Sequence, residues 1–84
     1  MIFSPGDKVT YAPDYLADKP EMWEHGIVKR VNPYGHGYFV VYKCEGNWDR
    51  YEDYTAANTI TKYLLLGWLD KEAYALLIPK GEKI

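Results

Sequence analysis

Glu24-His25-Gly26-Ile27-Val28-Lys29-Arg30-Val31-Asn32, then Pro33-Tyr34-Gly35-His36-Gly37, then Tyr38-Phe39-Val40-Val41-Tyr42 read in order as strand, turn and strand. Ile27, Val28 and Val31 are β-branched and suit a pleated surface, while Gly26 marks a bulge or a close backbone approach. The turn concentrates Asn, Pro and Gly, the residues that accept tight or left-handed geometry. Tyr38 to Tyr42 is apolar throughout, the pattern of a central strand covered on both faces. This hairpin sets the class as mainly β.

The flanking sequence extends it. Pro5-Gly6 is turn chemistry and opens Asp7 to Ala12, where Val9 and Tyr11 alternate with Lys8 and Thr10 in the period-2 pattern of a half-buried strand. Pro13 ends that strand because it cannot donate to the ladder. Residues 13–23, with Pro13, Asp14, Asp18 and Pro20, read as a long first loop held down by its own aromatics rather than as a helix. Glu45-Gly46-Asn47 is a connection. A weak fourth strand is expected from Tyr54 through Thr59, and Thr61 to Leu64 as a single 3₁₀ turn with Thr61 a candidate cap and Leu64 turned inward.

After Gly67-Trp68 the pattern changes. Leu69, Ala73, Leu76 and Leu77 fall at helical spacings behind Asp70-Lys71-Glu72, and Pro79 stops the run. A strand through Tyr74 to Ile78 competes, and periodicity does not separate the two. The architecture expected is a small, strongly bent SH3-like β-barrel of about five short antiparallel strands with a 3₁₀ turn. It would occupy residues 1–68, with a short C-terminal helical appendage and tail over 69–84.

Composition narrows the function classes. The chain has 84 residues, 10 Lys plus Arg against 12 Asp plus Glu, and a formal net charge of −2. Binding to nucleic acid or membrane through bulk charge is therefore not expected, although a local patch is compatible with it. Nine Tyr, three Trp and two Phe make 17% of the residues, so large rings must supply much of the core. A domain this small buries only about 60% of its unfolded surface. Cys44 is the single cysteine, Met1 to Asp7 lack the basic and apolar regions of a signal peptide, and Leu64-Leu65-Leu66 is far too short to span a bilayer. A soluble, cytoplasmic protein is the expectation.

Gly6-Asp7-Lys8-Val9-x-Tyr11, His25-Gly26-Ile27-Val28 and Phe39-Val40-Val41-Tyr42 together resemble the opening strands of SH3-like barrels of the Tudor and KOW kind. With Trp48-Asp49-x-Tyr51-x-x-Tyr54-Thr55 and Gly67-Trp68 added, the string over residues 6–68 looks like small uncharacterised proteins of bacteria and their prophages. The resemblance implies the fold and a phage or mobile-element origin. It implies no catalytic residue. It stops at Trp68, and Lys43 to Gly46 lacks the basic loop of a ribosomal KOW module.

Enzymatic and metal chemistry find little purchase. His25, His36 and Cys44 are the only soft ligands, separated by ten and seven residues, whereas a structural zinc site wants four ligands. Ser4 lies outside any Gly-x-Ser-x-Gly elbow, the glycines form no phosphate loop, and the paired carboxylates read as a solvated face. The expectation is a non-catalytic protein with no cofactor and no bound metal.

The segment from Glu45 to Tyr54 is more suggestive. Glu45, Asp49, Glu52 and Asp53 stand against Arg50 alone, a local charge of −3, with Trp48, Tyr51 and Tyr54 between them. Rings flanked by carboxylates hold cations, or clamp prolines while the acids take an adjacent basic residue. The candidate ligand-binding set is Tyr15, Trp23, Trp48, Asp49, Tyr51, Glu52 and Asp53, recognising a basic or proline-containing peptide on a protein partner. In the competing reading Trp48 and Trp68 belong to the core, as Phe39, Tyr11 and Tyr42 do. A second function class is a single-stranded nucleic-acid face built from Lys8, Lys29, Arg30 and Lys43 near Tyr38 and Tyr42. A third is an oligomeric or structural phage subunit, self-associating through residues 69–78.

Overall fold

The structure, a computed structural model, describes residues 2–69. Five antiparallel strands form one sheet: β1 (Lys8–Tyr11), β2 (Glu24–Asn32), β3 (Gly37–Val41), β4 (Ala57–Ile60) and β5 (Leu64–Leu66), in the spatial order β4-β3-β2-β1-β5. The central hairpin matches its sequence reading closely. The fourth strand starts three residues later than Tyr54, and the fifth is the Leu64–Leu66 run. The expected C-terminal helix is not shown; apart from Leu69, it lies outside the described residues.

The sheet is not a closed barrel, because β4 and β5 are its two free edges and do not pair with each other. It is strongly curled nonetheless. Five strands laid flat would separate the outer pair by about 19 Å, at about 4.8 Å per step. A single 3₁₀ turn, Thr61–Tyr63, joins those two edges. At a rise of about 2 Å per residue it cannot span that width, so the sheet must bend to bring its edges together. The hydrogen bonds record the crossing: Thr61 N donates to His36 O at the β3 end, and Ala12 N donates to Tyr63 O at the β1 end. Thr61 caps nothing; its hydroxyl also donates to His36 O.

Inside the curl lie Phe3, Val9, Val28, Tyr38, Val40 and Leu64, all buried. Leu64 turns inward as its position in the apolar run suggests. The β2–β3 register slips between Val28 and Arg30, so the bulge is at Lys29 and not at Gly26. Gly26 is instead a close approach, since a methyl there would run into the Val40 and Tyr42 side chains. The convex face is covered too. Thr10, Ile27 and Val41 are buried on this side, where residues 67–69 form a strap bonded to Thr10 and the 3₁₀ segment Trp48–Asp53 packs against β2. That covering explains why Thr10, polar and on the outward side of β1, is wholly inaccessible. Its hydroxyl donates to Gly67 O (2.7 Å) and accepts from Leu69 N (2.8 Å), so its burial leaves nothing unpaired.

The first loop carries two short 3₁₀ turns, Asp14–Leu16 and Pro20–Met22, and is tied by its own aromatic: Trp23 Nε1 donates to Leu16 O at 2.8 Å. Among the described residues no helix is long and apolar enough to cross a membrane.

Candidate functional site

The concave face opens at one end of the sheet. Register places Glu24 directly opposite Tyr11 across β1 and β2. Alternation carries the face from Val40 to Tyr42, just past the end of β3. Here the aliphatic core gives way to phenol rings. Tyr11 meets Tyr42 at 6.0 Å between centroids and Tyr63 at 6.3 Å, both edge to face. The Tyr42 hydroxyl lies 2.7 Å from Thr59 Oγ1, which itself donates to Ala57 O. Either hydroxyl can donate in this short contact. The floor ring is thereby locked to the β4 edge.

Two adjoining cavities open over this floor, each of about 340 Å³, a size suited to a side chain or small ligand. Tyr11, Tyr63, Asn58 and Thr59 wall the first; Val40, Lys43, Thr55 and Ala56 wall the second; Glu24, Tyr42 and Ala57 line both. The result is a groove running beside residues 55–60.

Glu24 sets the potential of this groove. Burial pushes the Tyr42 phenol up to about 12; the Glu24 carboxylate and Tyr11 push the same way, against the pull of the Thr59 hydrogen bond. Tyr11 is raised as well, by burial first and then by neighbouring Tyr15, Tyr63 and Glu24. No hydrogen bond or ion pair to Glu24 exists among the described residues. A free carboxylate ringed by aromatic faces attracts a cation through both charge and quadrupole.

The tyrosine shift has a consequence for stability. An unfolded tyrosine ionises near 10, whereas folded Tyr42 holds its proton to about 12. Between those values the unfolded chain loses the proton first. Tyr42 therefore contributes stability that is complete below about pH 10 and is lost as pH rises through 12. Denaturant unfolding followed at pH 7 and pH 11 should show a smaller proportional loss in Tyr42→Phe than in the wild type. Equal losses would remove this coupling.

On the convex face Trp68 lies parallel to His25 (5.5 Å, 2°), meets Trp48 edge-on (4.9 Å, 62°) and donates its Nε1 proton to Gly26 O at 2.9 Å. The Lys8 ammonium sits 4.6 Å from the Trp68 ring centroid, an internal cation–π contact.

Comparison with protein-family models, curated proteins and solved structures gave no match.

The fold divides the sequence-derived candidates. Tyr15, exposed, stands beside Tyr11 on the concave side, and Trp23 ties the first loop. Trp48, Asp49, Tyr51, Glu52 and Asp53 occupy the 3₁₀ segment, where Trp48 packs on Trp68 at the convex face. The sheet thus lies between Tyr15 and Trp48. Asp49 and Glu52 are exposed, and Arg50 bridges Asp53 at 3.2 Å. Tyr51 is half-buried beside Glu52, and both burial and that carboxylate raise its phenol.

The basic candidates are also dispersed. Lys8 covers Trp68, Lys29 donates to Tyr54 O at 2.8 Å, and Arg30 lies 4.9 Å above Phe39. Lys43 lines the second cavity on the concave side. His25 stacks, His36 is exposed in its turn and Cys44 is buried; among the described residues no three His, Cys, Asp or Glu are placed to hold a metal ion.

Glu24 and Tyr63 carry no signal in the sequence reading; Tyr11 figures there only as a strand residue, and Tyr42 as a strand residue near the alternative nucleic-acid face. Alternation alone puts Val9 with Tyr11 and Val40 with Tyr42. Bringing those pairs together with Glu24 requires the register, which the sequence does not display.

Proposed function

We propose that this protein is a non-catalytic interaction module, an SH3-like curled sheet that recognises a basic segment of an extended peptide in the Tyr11–Tyr42–Tyr63 groove. The observation that carries the reading is the position of Glu24, a carboxylate with no partner among the described residues, shared by both cavities among three phenol rings. The strand order β4-β3-β2-β1-β5 and the 3₁₀ link between its edges support the SH3-like description. Each ring facing a cation contributes about 0.5–2 kcal/mol. Three rings and one exposed carboxylate therefore predict dissociation constants of roughly 10 µM to 1 mM.

The test is a calorimetric titration with a short acetylated peptide containing one arginine, against its glutamine counterpart. The arginine peptide should bind, and Glu24→Lys should weaken it at least about tenfold, a difference of about 1.4 kcal/mol. The Glu24 side chain makes no hydrogen bond with the described residues, so thermal unfolding should be little changed. Undiminished binding by Glu24→Lys sinks the groove. Loss of binding in Trp48→Ala alone, with the fold intact, would move the site to the acidic 3₁₀ segment.

A further inference from the structure

The groove is not electrically uniform, and its asymmetry bears on what lies beside the basic side chain. From the Tyr63 end, the lining passes from Tyr11 and Tyr63 to Glu24, Tyr42 and Ala57, and then to Val40, Ala56 and Lys43. A negative group thus sits at the centre, a small apolar cavity follows, and a positive group stands at the far rim. Lys43 is exposed and makes no hydrogen bond, ion pair or ring contact with any described residue. This distinguishes it from Lys8, Lys29, Arg30 and Lys62, each engaged by a ring or a carbonyl.

Resting on the reading of the groove as a basic-peptide site, we propose that its ligand has a fixed direction. A basic side chain fills the Tyr11–Tyr63 cavity, a small apolar side chain fills the Val40–Ala56 cavity, and a carboxylate beyond it meets Lys43. Both cavities open on the same face, so the two side chains stand at positions i and i+2 of an extended chain, which alternates faces with period two. The intervening side chain points away to solvent. The flanking residues 55–60 give a length of about 20 Å for an extended occupant at about 3.3 Å per residue. The order of charges is basic first and carboxylate last. That places the ligand's C-terminal side over Lys43 and runs it antiparallel to β4, which runs from Ala57 in the shared wall to Ile60 in the first cavity. A chain-terminal carboxylate and an Asp or Glu side chain offer the same chemistry to Lys43.

Three probes separate these sources: acetyl-Arg-Gly-Val as the free acid, the same peptide as its amide, and acetyl-Arg-Gly-Val-Asp as its amide. Affinities are read by calorimetry and by the chemical shifts of the tyrosine rings. The free acid should bind about three- to fivefold more tightly than the amide, the range of an exposed ion pair. In Lys43→Gln the ratio of acid to amide affinity should fall to one. If the aspartyl amide matches the free acid, the carboxylate can come from a side chain; if it matches the plain amide, Lys43 reads a chain terminus. Equal binding of acid and amide to the wild type overturns the proposal while leaving the basic-peptide reading intact. An acid advantage that survives in Lys43→Gln overturns it too. Failure of all three peptides, with Arg replaced by Gln making no difference, removes the groove reading itself. A reversed peptide, acetyl-Val-Gly-Arg as the free acid, should lose the acid advantage; retention would exclude a fixed direction.

Discussion

Gly37→Ala should lower the melting temperature by more than about 12 °C, whereas Gly35→Ala, two residues away in the same turn, should leave it nearly unchanged. A methyl on Gly37 would overlap the backbone carbonyl of Thr59 and crowd the Asn58 side chain. Backbone cannot rotate away as a side-chain tip can, so relief requires β3 and β4 to separate where Gly37 pairs with Ile60. Overpacking usually costs about 1–3 kcal/mol, and a clash with backbone belongs at or above the top of that range. In a domain of this size each kcal/mol moves the melting temperature by about 4–8 °C. Separation there would also release the Ile60–Thr61 corner from which the sheet curls, and with it the Tyr63 wall of the groove. At Gly35 a methyl meets only the Asn32 side-chain amide, at 3.7 Å. Similar melting of the two variants, followed by circular dichroism, would contradict the packing at Gly37.

Trp68→Ala should cost about 3 kcal/mol, the low end of the Trp→Ala range because the ring is only half-buried. The indole contacts His25, Trp48 and Lys8 at once and satisfies the carbonyl of buried Gly26. Removing it strips the convex face of one of its two indoles and exposes the strap hydrogen bonds that keep Thr10 paired. Trp68→Phe retains a ring but not the Nε1 donor, and should cost about 1 kcal/mol more than a silent change, the usual worth of one hydrogen bond. Urea unfolding of both variants measures the difference. An unchanged midpoint for Trp68→Ala would show that the strap adds nothing to the fold.

Much of the fold is legible in the residues. Gly37 and the Pro33–Gly35 turn announce the central hairpin, and Pro13 and Pro20 keep the first loop out of helix. Thr61 to Tyr63 has the brevity of a 3₁₀ turn. The fifth strand is harder to see: Leu64–Leu66 is only three residues long and gains strand geometry from pairing with Val9 to Tyr11. The acidic 48–53 segment is equally ambiguous, since its aromatics and carboxylates alternate with no period that distinguishes an edge strand from a tight turn.

Tyr15 and Trp48 are both aromatic residues near acids, and nothing local reveals that a sheet lies between them. Trp48 looks like a surface anchor until Trp68, distant in sequence, is seen to receive it. Composition and period-2 patterning by themselves determined that this chain forms a small aromatic-rich β sheet, because those properties belong to each segment separately. Which rings pair, which carboxylate they surround and which face each cation occupies were decided only by the tertiary structure. Those relations depend on strand register and on the curl imposed by a short link between the two sheet edges.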